Sequence, residues 1–209
     1  MKAGDYIVRE ILKLKAGAKV PFPDKLFEGY EITDTNMINS NVSVDKIADV
    51  MQHFIIMHDE PLFFFLELPA KQDDETEVAP GIVNVLHKDV YYMDGCTQDE
   101  AIIVMLRVGD LLFNDGLCTF GYGGHESGDE IMCGKYNTLS IHSRNIKQYE
   151  QFFSDHGIDQ TDHLITAWDT FDDNHPGMSE IYKKNGKTVY DIPKQFEEWG
   201  MYLAEQREE

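Results

Sequence analysis

The run Leu62-Phe63-Phe64-Phe65-Leu66-Glu67-Leu68 constrains this chain more than any other segment. It is apolar, aromatic and short. A bilayer span needs about 20 apolar residues, so the run is far too short to cross a membrane. It reads as a buried central strand.

Apolar spacing on either side of it marks helices. Val44, Ile47, Ala48, Met51, Phe54 and Ile55 fall on one helical face, with Asp45, Lys46, Asp49 and Gln52 toward water and Ser43 placed as a cap. Thr97 and Glu100 match a capping box, and the helix behind them runs through Ala101 to about Phe113, where Asn114-Asp115-Gly116 stops it. Three more helices are expected. One covers residues 3–15, with Tyr6, Ile7, Ile11 and Leu14 at helical spacing. A second follows Ser143 and carries Ile146, Tyr149, Phe152 and Phe153. A last one starts at Asp191, with Phe196, Trp199 and Leu203 on one face. Short strands are expected at 82–85, 88–93, 117–122, 136–141 and 164–168, and residues 24–42 read as irregular. Asn185-Gly186 predicts a type I′ turn joining 181–183 to 188–190, because both residues tolerate positive φ.

Helices and hairpins alternate irregularly along the chain. That order predicts an α+β fold, a mixed and largely antiparallel sheet packed against about five helices. Residues 1–209 read as a single α+β domain, with a mobile acidic loop near 70–80 (Lys71–Glu77). A chain of 209 residues buries roughly 70% of its unfolded surface on folding and needs no staples. Cys96, Cys118 and Cys133 are scattered, with no CxxC, so they read as reduced thiols in a cytoplasmic protein. Residues 1–20 lack the continuous apolar core of a signal peptide.

Charge narrows the function. Thirty-eight acidic side chains against eighteen basic ones leave a formal net charge of -20. Such a surface repels nucleic acid and anionic lipid and attracts basic proteins or metal ions. The expected partner is therefore a basic protein, with no nucleic acid, no membrane and no cofactor.

Two segments collect chemically capable residues. In Gly121-Tyr122-Gly123-Gly124-His125-Glu126-Ser127-Gly128-Asp129-Glu130, the glycines let a backbone turn sharply or a ligand approach closely. His125, Glu126, Asp129 and Glu130 are the right residue types for acid–base work, and His125, Glu126 and Asp129 with His142 for a metal. The spacing matches neither HExxH nor a P-loop, and Ser127 does not sit in GxSxG. In the second segment, Trp168 to Gly177, the aspartates are of a type to ligate calcium, but the EF-hand alternation is absent and turn chemistry explains the stretch, with Trp168 and Phe171 expected to anchor it in the core. Asp172 and Asp173, with His125, Glu126, Asp129 and Glu130, are the candidate partner- or ligand-binding residues. A cysteine nucleophile would need a base brought next to Cys118 or Cys133, from His125, His142 or His163.

The leading expectation is an acidic binding protein. In size, charge and general style the whole chain is similar to the bacterial immunity proteins paired with secreted toxins. No family motif carries that resemblance, so no site residue comes with it. It implies an inhibitor of a basic toxin or nuclease, whose exposed carboxylates imitate phosphate. The alternatives are a metal-dependent hydrolase built on the 121–130 loop and a regulatory peptide-binding module.

Overall fold

The aromatic run forms an interior strand, and its alternation divides the molecule into two faces. The computed structural model describes residues 10–70, 77–79, 82–83 and 87–208. The strands in chain order are β1 (Ala18–Lys19), β2 (Gly29–Asp34), β3 (Met37–Asn41), β4 (Leu62–Pro69), β5 (Glu77–Ala79), β6 (Ile82–Val83), β7 (His87–Cys96), β8 (Thr119–Gly124), β9 (Glu130–Cys133), β10 (Thr138–His142), β11 (Met178–Ser179) and β12 (Tyr202–Glu208). The helices are α1 (Ile47–Met57), α2 (Gln98–Asn114), α3 (Lys147–Asp155) and α4 (Ile192–Gln195).

Eight strands form one sheet in the order β12-β7-β4-β8-β9-β10-β3-β2, and every pairing in it is antiparallel. On β4, Leu62, Phe64, Leu66 and Leu68 are buried in the main core. That core also takes Val50, Met51 and Phe54 of α1, Val104, Val108 and Leu112 of α2, Tyr149 and Phe153 of α3, and Ile192 of α4. All four helices thus cover the same side of the sheet. The odd residues of β4 face the other side. There Phe63 lies over Gly123 and Phe65 over Gly121, and a Cβ on either glycine would run into the ring. The β7–β4–β8 pairing therefore accepts large rings on one strand because the opposite positions on β8 carry no side chain.

The structure corrects the expected fold class. Among the described residues there are four α-helices, not about five, and the large sheet is antiparallel throughout rather than mixed. Most of the expected helix at 3–15 lies outside the described residues. Its described part, 10–15, is extended, because long-range partners take its N–H groups: Leu12 donates to Leu26 O, Lys13 to Ser43 Oγ and Lys15 to Asn137 Oδ1. Ser43 is thereby used as an acceptor from afar, and α1 starts later than its spacing implied. The final helix stops at Gln195; Gly200 turns the chain at φ 89°, and 202–208 pair with β7 as an edge strand. Residues 24–42, expected to be irregular, include the β2–β3 hairpin.

Other expectations meet the structure in part. Thr97 and Glu100 form both bonds of the capping box at α2. Asn185 and Gly186 adopt φ 52° and 78°, the left-handed pair of a I′ turn, yet only Lys184 and Lys187 pair across it. Residues 164–168 form no strand; a short 3₁₀ turn occupies Ala167–Thr170. Most of the expected acidic loop, residues 71–76, lies outside the described residues.

Gly17 and Gly116 cross at contact distance: Gly17 N–H donates to Asn114 O, and Glu180 N–H donates to Gly17 O. A Cβ on Gly116 would collide with the Gly17 carbonyl and the Glu180 backbone. Backbone cannot swing aside as a side chain does. Gly116→Ala is expected to lose about 1–3 kcal/mol of stability, read as a lower urea midpoint with an unchanged slope.

Candidate functional site

The 121–130 segment is a hairpin turn that points its polar residues in different directions. Gly124 N–H donates to Asp129 O, Gly128 N–H returns to Gly124 O, and Gly128 takes φ 67° to close the turn. His125 leans over the Phe63 ring, with Nε2 3.5 Å from Asp94 Oδ1. Glu126 is exposed and lines a 390 Å³ pocket together with Asp59, Arg144 and Gln148. Glu130 stands across the ladder from His142, both exposed. Asp129 alone turns inward and is buried.

Asp129 is the hub of a buried clasp. Its Oδ2 accepts from Ser143 Oγ at 2.6 Å, His58 Nε2 at 3.1 Å and Gln148 Nε2 at 3.2 Å, and its Oδ1 accepts from Arg144 N at 3.2 Å. Burial pushes the carboxyl up, but the bonds from Ser143, His58 and Arg144 outweigh it and hold Asp129 below its ordinary value. His58 Nδ1 lies 2.7 Å from Phe54 O, which can only accept. Tyr149 Oη lies 3.3 Å from the same Nε2. The clasp thus joins the end of α1, the start of β9 and the approach to α3.

Serine, histidine and aspartate meet here in an order that does not suit nucleophilic catalysis. In a triad the imidazole takes the serine proton and the carboxylate orients the imidazole. Here Ser143 gives its proton to Asp129 directly, is fully buried, and both imidazole nitrogens are already occupied. The cysteines are no better placed. All three are buried and free. Burial pushes Cys96 up to about 11 and raises Cys118 and Cys133 as well, the opposite of an activated thiolate. The residues His125, Glu126, Asp129 and His142 do not converge. Among the described residues no group of three or more His, Cys, Asp or Glu side chains could hold a metal ion. No helix there is long and apolar enough to cross a membrane.

A second concavity has a different character. Phe22, Phe27 and Ile165 line a groove of 660 Å³ whose rim carries Asp24, Lys25, Asp169 and Asp172. Asp172 accepts from Asn174 N, His175 N and His175 Nδ1, which closes the Asp172–His175 turn; Asp173 is exposed within that turn. Asp169 accepts from Thr166 N and Oγ1 at 2.8 Å each. Thr166 holds Asp169 below its ordinary value, and His175 does the same for Asp172. Trp168 next to this rim is 53% exposed, not anchored in the core. Its ring is held edge-on by Tyr136 at 5.0 Å and Phe171 at 5.5 Å. Of the residues singled out in sequence, the structure gathers Glu126 with Asp129, and Glu130 with His142. Sequence reasoning missed His58, Tyr149 and Gln148, because their partners lie 19 to 91 residues away and no local spacing signals them.

Compared with protein-family models, with curated proteins and with solved structures, the chain matches none of them.

Asp129→Ala strands His58 and Ser143 without their acceptor, and a cost of about 3–5 kcal/mol at neutral pH is expected. The sign with pH follows from the lowered carboxyl. Its contribution is complete above the ordinary value of 3.8 and fades as pH falls through the folded value. Urea unfolding at several pH values should show the gap between wild type and variant narrowing as pH falls through the acid range. The thiols give a separate check: Ellman's reagent should find none in the native protein and all three after denaturation.

Proposed function

We propose that this chain is an acidic binding protein whose exposed carboxylates capture a basic protein, in the manner of the immunity proteins that neutralise toxins or nucleases. The observation that carries the reading is where the charge sits. Of the acidic residues described, only Glu28, Asp115 and Asp129 are buried, and each has its own partners: Lys46 and Ser43 N, the N–H groups of Leu117, Cys118 and Tyr182, and the His58 clasp. Most of the remaining described carboxylates are exposed, and they are spread over many separate elements. Basic side chains are outnumbered about two to one in the sequence; lysine and arginine pairs with the acids include those of Lys13, Lys19, Lys46, Lys184 and Arg207. The field of an unneutralised exterior steers cationic partners toward contact. Free, buried thiols suit a reducing compartment, and we place the activity in the cytoplasm.

The probe for this reading is a basic ribonuclease, tested for complex formation by calorimetry and for inhibition on an RNA substrate. Binding should weaken by at least about tenfold between 50 and 200 mM salt, because screening shortens the reach of exposed charges. Inhibition should fade in parallel. Absence of binding at low salt, or binding indifferent to salt, would overturn the reading.

A further inference from the structure

The groove beside Trp168 is a better recognition element than diffuse charge requires. We infer, resting on the reading above, that it receives an arginine side chain of the basic partner, stacked on aromatic surface and paired with the carboxylates of the rim.

Four observations converge on that ligand. First, Ile165, 47% exposed, lines the groove with Phe22 and Phe27, and Trp168, 53% exposed, directly precedes the rim residue Asp169 in the chain. Tryptophan is the commonest anchor of protein interfaces, and a ring already fixed by Tyr136 and Phe171 loses little freedom on binding. Second, the rim carries three carboxylates against one lysine. Asp24 makes no hydrogen bond or ion pair among the described residues, and Asp169 is oriented by Thr166. Third, the groove already accommodates a cation: Lys25 Nζ sits 4.2 Å above the centre of the Phe22 ring. The chain's own ammonium marks how a positive group is received there. Fourth, the chemistry selects between cations. A guanidinium is planar and weakly hydrated, so it stacks on a ring face while its edge donates to a carboxylate. An ammonium is a compact charge that gives up more hydration to do so.

This assignment goes beyond net charge, because it makes one aromatic residue and one resident lysine decisive. Lys25 competes with the incoming arginine. Removing it frees the ring and makes the rim more negative.

The test uses the full chain with two probes, acetylated tetra-arginine amide and its tetra-lysine counterpart, titrated by calorimetry at about 20 mM salt, where exposed charges are little screened. Tetra-arginine should bind more tightly than tetra-lysine. Trp168→Ala should weaken tetra-arginine binding by about tenfold or more, the size of a hot-spot loss, with Trp168→Phe retaining most of the affinity. Asp24→Asn should weaken it severalfold. Lys25→Met should strengthen it severalfold, a gain that no loss of folding can produce. Glu197→Gln with Glu198→Gln, on the turn after α4 and sharing no residue with the groove, should change it less than about twofold. If Trp168→Ala has no effect while every lost carboxylate weakens binding equally, the groove assignment is wrong and the charge reading survives. A weaker Lys25→Met variant would also overturn the assignment, because the groove would then be receiving anions. If neither peptide binds the wild type, both the assignment and the charge reading fail.

Discussion

One strand sets the geometry of the whole molecule. β4 buries Leu62, Phe64, Leu66 and Leu68 against the helices while Phe63 and Phe65 lie over glycines on the opposite face. A one-residue slip would exchange those two sets and turn the Glu67 carboxylate into the core under the helices. The register is therefore fixed twice, by what each face packs against. Fixing β8 beside β4 also fixes the turn at 125–129, and that turn delivers Asp129 to His58 and Ser143. The clasp is thus a consequence of how β4 is paired.

The clasp shows how a chain with so many acids disposes of the few it buries. A buried carboxylate is costly unless every lone pair finds a donor. Asp129 finds four donors from three elements, and Asp115 binds the N–H groups of Leu117, Cys118 and Tyr182. Glu28 accepts from Ser43 N and from Lys46 Nζ at 2.5 Å, while the same ammonium reaches His156 O. Each acid joins segments that lie far apart in the chain. Such groups act as fasteners with a unique geometry. Their saturation is also the reason that catalytic residue types gathered in one place yield no catalytic arrangement.

Sequence pattern revealed what depends on neighbours and concealed what depends on distance. The central strand, α1 and α2 were legible because periodic burial and the Thr97–Glu100 box are local signals. The 10–15 segment was misread because its apolar spacing fits a helix, whereas its N–H groups answer to Leu26, Ser43 and Asn137. Tertiary hydrogen bonds outweighed propensity there. At the other end, Phe196 and Trp199 suggested one continuous helix, but the open edge of β7 offered the chain a ladder from Tyr202 onward. The glycine-rich loop drew attention for the right reason, a sharp backbone, though it directs His125 and Asp129 to opposite sides. Trp168 was misplaced because an aromatic residue in an apolar pattern normally points inward; nothing local reveals that Tyr136 and Phe171 hold it at the surface.

Exterior charge and stability pull against each other in such a molecule. Like charges spread over a compact body repel, and the repulsion is relieved by unfolding, by salt or by a counter-charged partner. The chain offsets little of it internally, since its surface ion pairs are exposed and such pairs contribute only about 0–1 kcal/mol each. A basic partner that covers the carboxylates binds the folded state and has no comparable surface to bind in the unfolded one. By mass action it stabilises the fold by an amount that grows with its concentration over its dissociation constant. Under the proposed function, the charge that weakens the free protein is the same charge that recovers stability in the complex. A fold closed by saturated buried clasps tolerates that strain while it is alone.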